Sequence, residues 1–463
     1  MKPWERYSPE LVTDLYELTM AASYLDEGMS GEATFSLFIR DYPEFRSYFV
    51  SAGLQRLLEV LECLRFEAGS IEYLKSLGMF SAGFLEYLRG FRFSGTVRAI
   101  AEGRIFFSQE PVLEVTAPLI EAQVIETLVM NTIQAETLFA SKAARVFHAA
   151  RGKGLIDFGM RRAHGVDAAL SAARASYIVG FMGTSDLLAG RIYGIPVFGT
   201  MAHSYVTSFD REIDSFLAFA KTFPNNTIFL IDTYDTVAGA KKAVAAAGIM
   251  ARTGGKLLGV RLDSGDLAGL SRQVRQILDR AGFHDVKIMA SGGLDEFELE
   301  AMAGEGAEID VYAVGTKVDV SADAPYLDIA YKLVDYDRKP VLKLSSGKKT
   351  WVGKKQVLRF YDAAGKMHHD RLCMTPGVEG GGAESGEPLL ELVMKGGKRV
   401  RRPETLGEIR ARFSSEFERL PEKYRALRAT EKYPVEVCES LQNLDQKTAE
   451  EKKRLEVDSV LGA

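Results

Sequence analysis

From Gly154 onward the chain repeats one theme: LIDFG, SYIVGF, IPVFG, TIFLID, KLLGVRLD, VKIMASGG and DVYAVGT are apolar runs, each followed by glycine or polar residues and then a helix-like pattern. They recur at intervals of roughly 20 to 30 residues. Continuous apolar runs suit strands buried on both faces, and strands alternating with helices suit a parallel sheet. Seven such units without an early Gly-rich dinucleotide fingerprint predict an α/β fold built on an irregular parallel βα barrel of about seven strands.

The text on either side differs. Residues 8–150 read mostly as helix, with a start signal at Ser8-Pro9, a first stop at Gly28, and strands in ATFSLFIR and GTVRAIAEGRIFFSQEPVLEVTAPL. From Tyr331 short alternating strands return in YKLVDYD and KPVLKLSSGKKTWVGKKQVLRFYDAAGKMHH, an antiparallel piece expected to pack with the N-terminal strands. KTAEEKKRLEVDSVLGA reads as a charged, solvated helix. A chain of 463 residues is too long for one ordinary core. The expected division is 1–150, mostly helical α/β; 151–330, the barrel; and 331–463, strands and a tail completing a sandwich-like α/β domain with the N-terminal segment.

Composition narrows the partners. A hydrophobic fraction of 46% supports a sizeable core, and a net charge of -5 offers no basic face for nucleic acid. Cys63, Cys373 and Cys438 lie far apart without CxxC spacing, so neither a zinc site nor a disulfide framework is expected. MKPWERYSPELVTDLYELTM lacks the apolar core of a signal peptide, and no run is long enough to cross a bilayer. A cytoplasmic protein with small-molecule partners is the expectation.

In a parallel βα barrel, ligands bind at the carboxyl ends of the strands, where loops converge and helix N-termini face inward. Those ends carry Asp157 with Arg161 and Arg162; Thr184, Ser185 and Asp186; Thr200 and His203; Asp232, Thr233 and Asp235; Arg261, Asp263, Ser264 and Asp266; Ser291, Gly292 and Gly293; and Gly315, Thr316 and Lys317. Anion binders mixed with carboxylates suit a phosphorylated, metal-complexed substrate. SGG and VGT can cradle phosphate on free amides at a helix start, although small residues there also serve plain turn chemistry. In RLDSGD, Arg261 can grip a ligand carboxylate while Asp263 and Asp266 bind Mg2+; the alternative is an internal salt bridge. His203 is either a satisfied buried histidine or, with Asp232 orienting its ring, a nucleophile toward phosphorus. No P-loop motif is present.

DLYELTM, DFGMRRAHG, GTMAHSYVTSF, LIDTYDT, GVRLDSGDL and AVGT, in this order, resemble the nicotinate phosphoribosyltransferase family over roughly residues 7–440. The resemblance implies an open βα barrel with an α/β domain from both chain ends, working as a homodimer with active sites near the subunit interface. It implies an ATP-coupled, Mg2+-dependent reaction of nicotinate with phosphoribosyl pyrophosphate, giving nicotinate mononucleotide and pyrophosphate in NAD salvage. By the same resemblance His203 is transiently phosphorylated by ATP, Thr200 and Arg261 contact nicotinate, Tyr16 reaches the pyridine ring from the neighbouring subunit, and Arg161 and Thr316 contact the phosphoribosyl group. Asp263 is the expected carboxylate near the ribose or its metal, with Asp266 second. Phe158 either stacks on the ring or is a core aromatic.

Three rivals remain. RRAHG and AHSYV favour the acid-using family over its nicotinamide-using relative. Quinolinate phosphoribosyltransferase needs no ATP and lacks the reactive histidine. A non-catalytic barrel binding a phosphorylated metabolite is disfavoured because no site position carries an inert residue.

Overall fold

The computed structural model describes residues 7–344, 350–375, 386–429 and 431–458. The chain divides into two compact units, residues 142–323 and residues 1–141 with 324–463.

The central unit holds six parallel strands: β1 (Gly154–Asp157), β2 (Gly183–Thr184), β3 (Thr227–Leu230), β4 (Leu257–Leu262), β5 (Lys287–Ala290) and β6 (Val311–Val314). Their order is β2-β1-β6-β5-β4-β3, so strands adjacent in sequence pair except β2 with β3, and β6 pairs back to β1. That is the cyclic order of a barrel, cut once between β2 and β3. The helices between them are α1 (Val166–Ile178), α2 (Leu187–Tyr193), α3 (His203–Thr207), α4 (Glu212–Thr222), α5 (Thr236–Arg252), α6 (Leu267–Arg280), α7 (Glu296–Gly304) and α8 (Thr316–Asp319). In α6, Ala268, Ser271, Val274 and Leu278 are buried at helical spacing, the stripe a helix needs to cover a sheet.

Two of the seven expected strands are corrected here. In SYIVGF, Ser176–Ile178 form the last turn of α1 and the strand begins only at Gly183. The alanine-rich stretch before it favours helix, and the apolar run extends that helix's buried side. IPVFG contributes a single parallel bridge, Val197 to Thr184, where Pro196 has no N–H to give to a ladder. The sheet therefore has six strands and two open edges.

The unit built from both chain ends centres on a seven-stranded sheet. Within it Glu32–Ile39 lies between Pro111–Pro118 and Ile329–Tyr336, antiparallel to both, so the C-terminal segment does return to the N-terminal strands. Lys355–Tyr361 and Met367–Met374 pair in a separate four-stranded sheet. Ser8-Pro9 starts only a 3-10 turn, Pro9–Leu11, and the first α-helix is Leu15–Asp26, with Asp14 at its N-cap position. The charged tail from Lys447 continues a helix that begins at Glu439, Glu439–Lys453, and buries Thr448, so it packs as well as solvates. Residues 1–6 of the N-terminal segment, 345–349 of the C-terminal strand pattern and 459–463 of the tail lie outside the described residues.

Cys373 and Cys438 correct the reading from spacing. They form a disulfide across 65 residues of sequence, because Asp370–Leu372 and Val435–Val437 run side by side as parallel strands. Sheet register, which cysteine spacing does not encode, brings them together. Among the described residues, no helix is long and apolar enough to cross a membrane.

Candidate functional site

At the carboxyl ends of β1, β4, β5 and β6 lies a cavity of about 410 Å³. Phe158, Arg161 and Arg162 line it after β1, Arg261 from the end of β4 and Asp263 just past it, Ser291, Gly292 and Gly293 after β5, and Gly315, Thr316 and Lys317 after β6. Ten of the twenty-one residues expected at the strand ends thus share one hollow. Phe158 also packs against a small core of Ile156, Met289 and Ala313, so it is both wall and filler.

Arg261 is the most informative of these. Its Nη2 donates to the Met201 carbonyl at 3.0 Å, while its buried Nε has no partner. Burial pulls its pKa down, and the nearby Asp263 and Asp232 carboxylates oppose that pull. A guanidinium edge withdrawn from water and left unbonded is unfavourable unless an acceptor arrives. A salt bridge with Asp263 or Asp266 is not what satisfies it: Asp263 Oδ1 accepts the Ser291 hydroxyl at 2.5 Å, and Asp266 accepts the Gly269 amide at 2.9 Å.

His203 starts α3 and is partly exposed. Its Nδ1 lies 3.1 Å from the Thr233 hydroxyl, and its Nε2 faces Asp263 at 3.8 Å. Asp263 is therefore the link from His203 to the cavity wall. The expectation that Asp232 orients the imidazole is corrected: Asp232 Oδ2 accepts the Asp263 amide at 2.9 Å and the Ser264 hydroxyl at 2.8 Å, fixing the turn after β4. Thr233, next to Asp232 in the turn after β3, meets the ring instead. Thr200 does not line the cavity; its neighbour Met201 supplies the carbonyl that Arg261 binds.

The turn after β5 is closely packed against the turn after β4. Gly292 has φ +97°, and a Cβ there would lie 2.0 Å from the Asp263 carbonyl oxygen, so only glycine permits the turn. Lys317 adds a cation, paired with Asp295 at 2.8 Å. Asp295, which a reading of strand ends overlooks, also caps α7 through the Phe297 and Glu298 amides.

Among the described residues, no group of three or more His, Cys, Asp or Glu side chains is arranged to hold a metal ion. Asp266, a candidate ligand by sequence, is turned into the start of α6 as its cap and does not line the cavity. The oxygen atoms left for a hard cation are on Asp263 and on Asp232, whose buried Oδ1 lacks a partner. Two carboxylates fit Mg2+, which usually keeps several waters and takes the rest of its shell from substrate phosphates.

Tyr16 belongs to the other unit, near the start of Leu15–Asp26, with its side chain exposed. Partial burial and the Glu126 carboxylate push its phenol upward in pKa. Beside it Glu17 is buried and accepts the Thr127 amide at 3.1 Å as well as the Thr127 hydroxyl.

Comparisons with known proteins cover most of the chain. Family models describing the nicotinate phosphoribosyltransferase N-terminal domain, the family core and the C-terminal domain match residues 11–134, 154–363 and 383–445. A nicotinate phosphoribosyltransferase of Mycobacterium tuberculosis is 47% identical over 435 residues, 93% of this chain and 92% of that protein. One from Bacillus subtilis is 37% identical, covering 97% of each. The crystal structure of human nicotinic acid phosphoribosyltransferase superposes with a TM-score of 0.84 at 29% identity, covering 94% of this chain and all of that one.

Proposed function

The chain belongs to the nicotinate phosphoribosyltransferase family and is a nicotinate phosphoribosyltransferase of NAD salvage; from that premise we propose how its residues divide the reaction. Nicotinate binds with its carboxylate on the unbonded edge of Arg261 and its ring against Phe158. Phosphoribosyl pyrophosphate lies across the same cavity, its phosphates on the Ser291-Gly292-Gly293 and Gly315-Thr316 amides and on Arg161. The observation that carries this reading is the buried Arg261 Nε without a partner at the wall of a hollow lined by anion-binding groups.

The pyridine nitrogen attacks the anomeric carbon as pyrophosphate leaves, so positive charge develops on the sugar and negative charge grows on the leaving group. Asp263, fixed by Ser291, stands where a carboxylate can answer the first charge, and Arg161 answers the second. Asp263 and Asp232 would hold Mg2+, which when bound neutralises pyrophosphate charge. His203, steadied by Thr233, is the residue that takes a phosphoryl group from ATP, coupling hydrolysis to product formation. A homodimer brings Tyr16 of a second copy to the pyridine ring, and the exposure of Tyr7, Leu15 and Tyr16 supports a covered face there.

Measuring pyrophosphate release with nicotinate and with nicotinamide, with and without ATP, tests the assignment. Nicotinate is expected to be turned over in strong preference, because nicotinamide offers the guanidinium no charge. His203→Ala is expected to lose the ATP stimulation and keep a slow ATP-independent transfer; a variant with the wild-type ATP response would remove His203 from the phosphoryl step.

A further inference from the structure

Asp157, Asp186 and Asp319 meet under the loop that carries Phe158, Arg161 and Arg162, and all three are essentially buried, at 2%, 0% and 0% exposure. Asp157 is occupied on both oxygens: Oδ1 accepts the Gly159 amide at 2.8 Å and Oδ2 the Thr184 hydroxyl at 2.6 Å. Asp186 Oδ1 caps α2 through the Leu188 and Ala189 amides. Neither oxygen of Asp319 receives a hydrogen bond, yet its carboxyl contacts that of Asp157. Two acceptors make a favourable contact only with a proton between them. Asp157 already accepts twice, so the donor is Asp319.

The loop is packed directly on that carboxyl. A Cβ at Gly159 would lie 2.2 Å from the Asp319 side chain, so glycine is what lets the backbone reach it. We propose that Asp319 is a positioning residue for the transferase reaction: its carboxyl donates to Asp157 and thereby fixes the Asp157–Arg162 turn that presents Phe158, Arg161 and Arg162 to the cavity. It touches no reacting atom. The proposal rests on that cavity being the active site.

Charge in the surroundings agrees. Burial first, then the Asp157 and Asp186 carboxylates, push Asp319 far above the carboxylate range. The elements packed most closely on α8 are α1 and the Met160–Arg162 turn. Their ionisable groups are Asp167, Arg174 and Tyr177 on α1 and Arg161 and Arg162 on the turn, and none of them bonds Asp319. Lys317 on α8 itself is engaged with Asp295. A carboxyl buried beside two others without a cation stays neutral.

The test compares wild type, Asp319→Asn and Asp319→Ala as full-length proteins. An amide keeps a donor for Asp157 and carries no charge. Asp319→Asn is expected to hold kcat and the KM for phosphoribosyl pyrophosphate near wild type. Asp319→Ala frees the turn, and its KM for phosphoribosyl pyrophosphate should rise on the order of 10- to 100-fold, with a smaller change in kcat. A second readout needs no activity. A group that keeps its proton in the fold and loses it on unfolding makes stability fall as pH rises above its unfolded pKa, about 4 for Asp. The urea midpoint of Asp319→Asn should therefore pull ahead of wild type between pH 5 and pH 8 and converge with it near pH 4. Parallel midpoints across pH, or an Asn variant as impaired as the Ala variant, would overturn the donor assignment. An unchanged KM in Asp319→Ala alongside the expected pH signature would overturn the positioning role alone.

Discussion

In the unit built from the chain ends, Arg359 is wholly buried and wholly answered: Asp370 grips its Nη2 at 2.6 Å and its Nε at 3.0 Å, and Glu416 takes Nη1 at 2.9 Å. In the central unit, Arg261 is partly buried, with one carbonyl partner and a buried, unbonded Nε. Both guanidiniums are drawn out of water, but only that of Arg359 finds an acceptor for each of its nitrogens within the chain. A network that serves the fold satisfies itself, whereas one that serves a ligand leaves groups for the ligand to satisfy.

Replacement of each arginine by leucine is the sharpest way to break this contrast. Arg261→Leu should lower kcat/KM for nicotinate about 100- to 1000-fold, the loss expected when one partner of a buried charged pair is removed. Its urea midpoint should hold or rise, since an unpaired guanidinium is no longer buried. Arg359→Leu should do the reverse, costing about 3–5 kcal/mol of stability by stranding Asp370 and Glu416, with catalysis of the remaining folded enzyme little changed. If both variants lose stability equally, the distinction between the clusters fails.

A smaller effect comes from Glu17, in the same unit as Arg359. Burial raises its carboxyl to about 7, against an ordinary 4.5, although hydrogen bonds from Thr127 and Thr13 oppose the shift. A raised folded pKa means that this group's contribution is present below about pH 4.5 and is lost as pH climbs through 7. Glu17→Gln should therefore be more stable than wild type at pH 8, by roughly 1–3 kcal/mol, and equal to it near pH 4. Denaturation curves at the two pH values measure this directly; an equal gap at both would mean that Glu17 ionises freely in the fold.

What the sequence disclosed follows the same division. The runs after Gly154 located β1, β3, β4, β5 and β6 because parallel strands buried on both faces leave an unbroken apolar signature. SYIVGF carries the same signature and belongs to helix α1, since a short apolar run cannot by itself distinguish strand from buried helix. Strand-end reading found Arg261, Asp263, Ser291, Gly292, Gly293, Gly315 and Thr316, all of which line the cavity from the ends of their strands or the turns just past them. It misassigned Asp232, whose carboxylate accepts from the turn after β4, and Asp266, which caps its own helix, choices of partner that residue order does not encode. Asp319 went unseen because its meaning depends on Asp157 and Asp186, brought beside it by the β6-β1-β2 pairing. Its spacing four residues after Gly315, one helical turn, was the available hint.

The central claim is that a single strand-tip cavity binds both the pyridine carboxylate and the sugar phosphate. A crystal structure of the enzyme with nicotinate mononucleotide tests it most directly. The account predicts the carboxylate on the Arg261 guanidinium and the phosphate on the Ser291-Gly292-Gly293 and Gly315-Thr316 amides. A nucleotide bound elsewhere, with the Arg261 Nε still facing no acceptor, would contradict it.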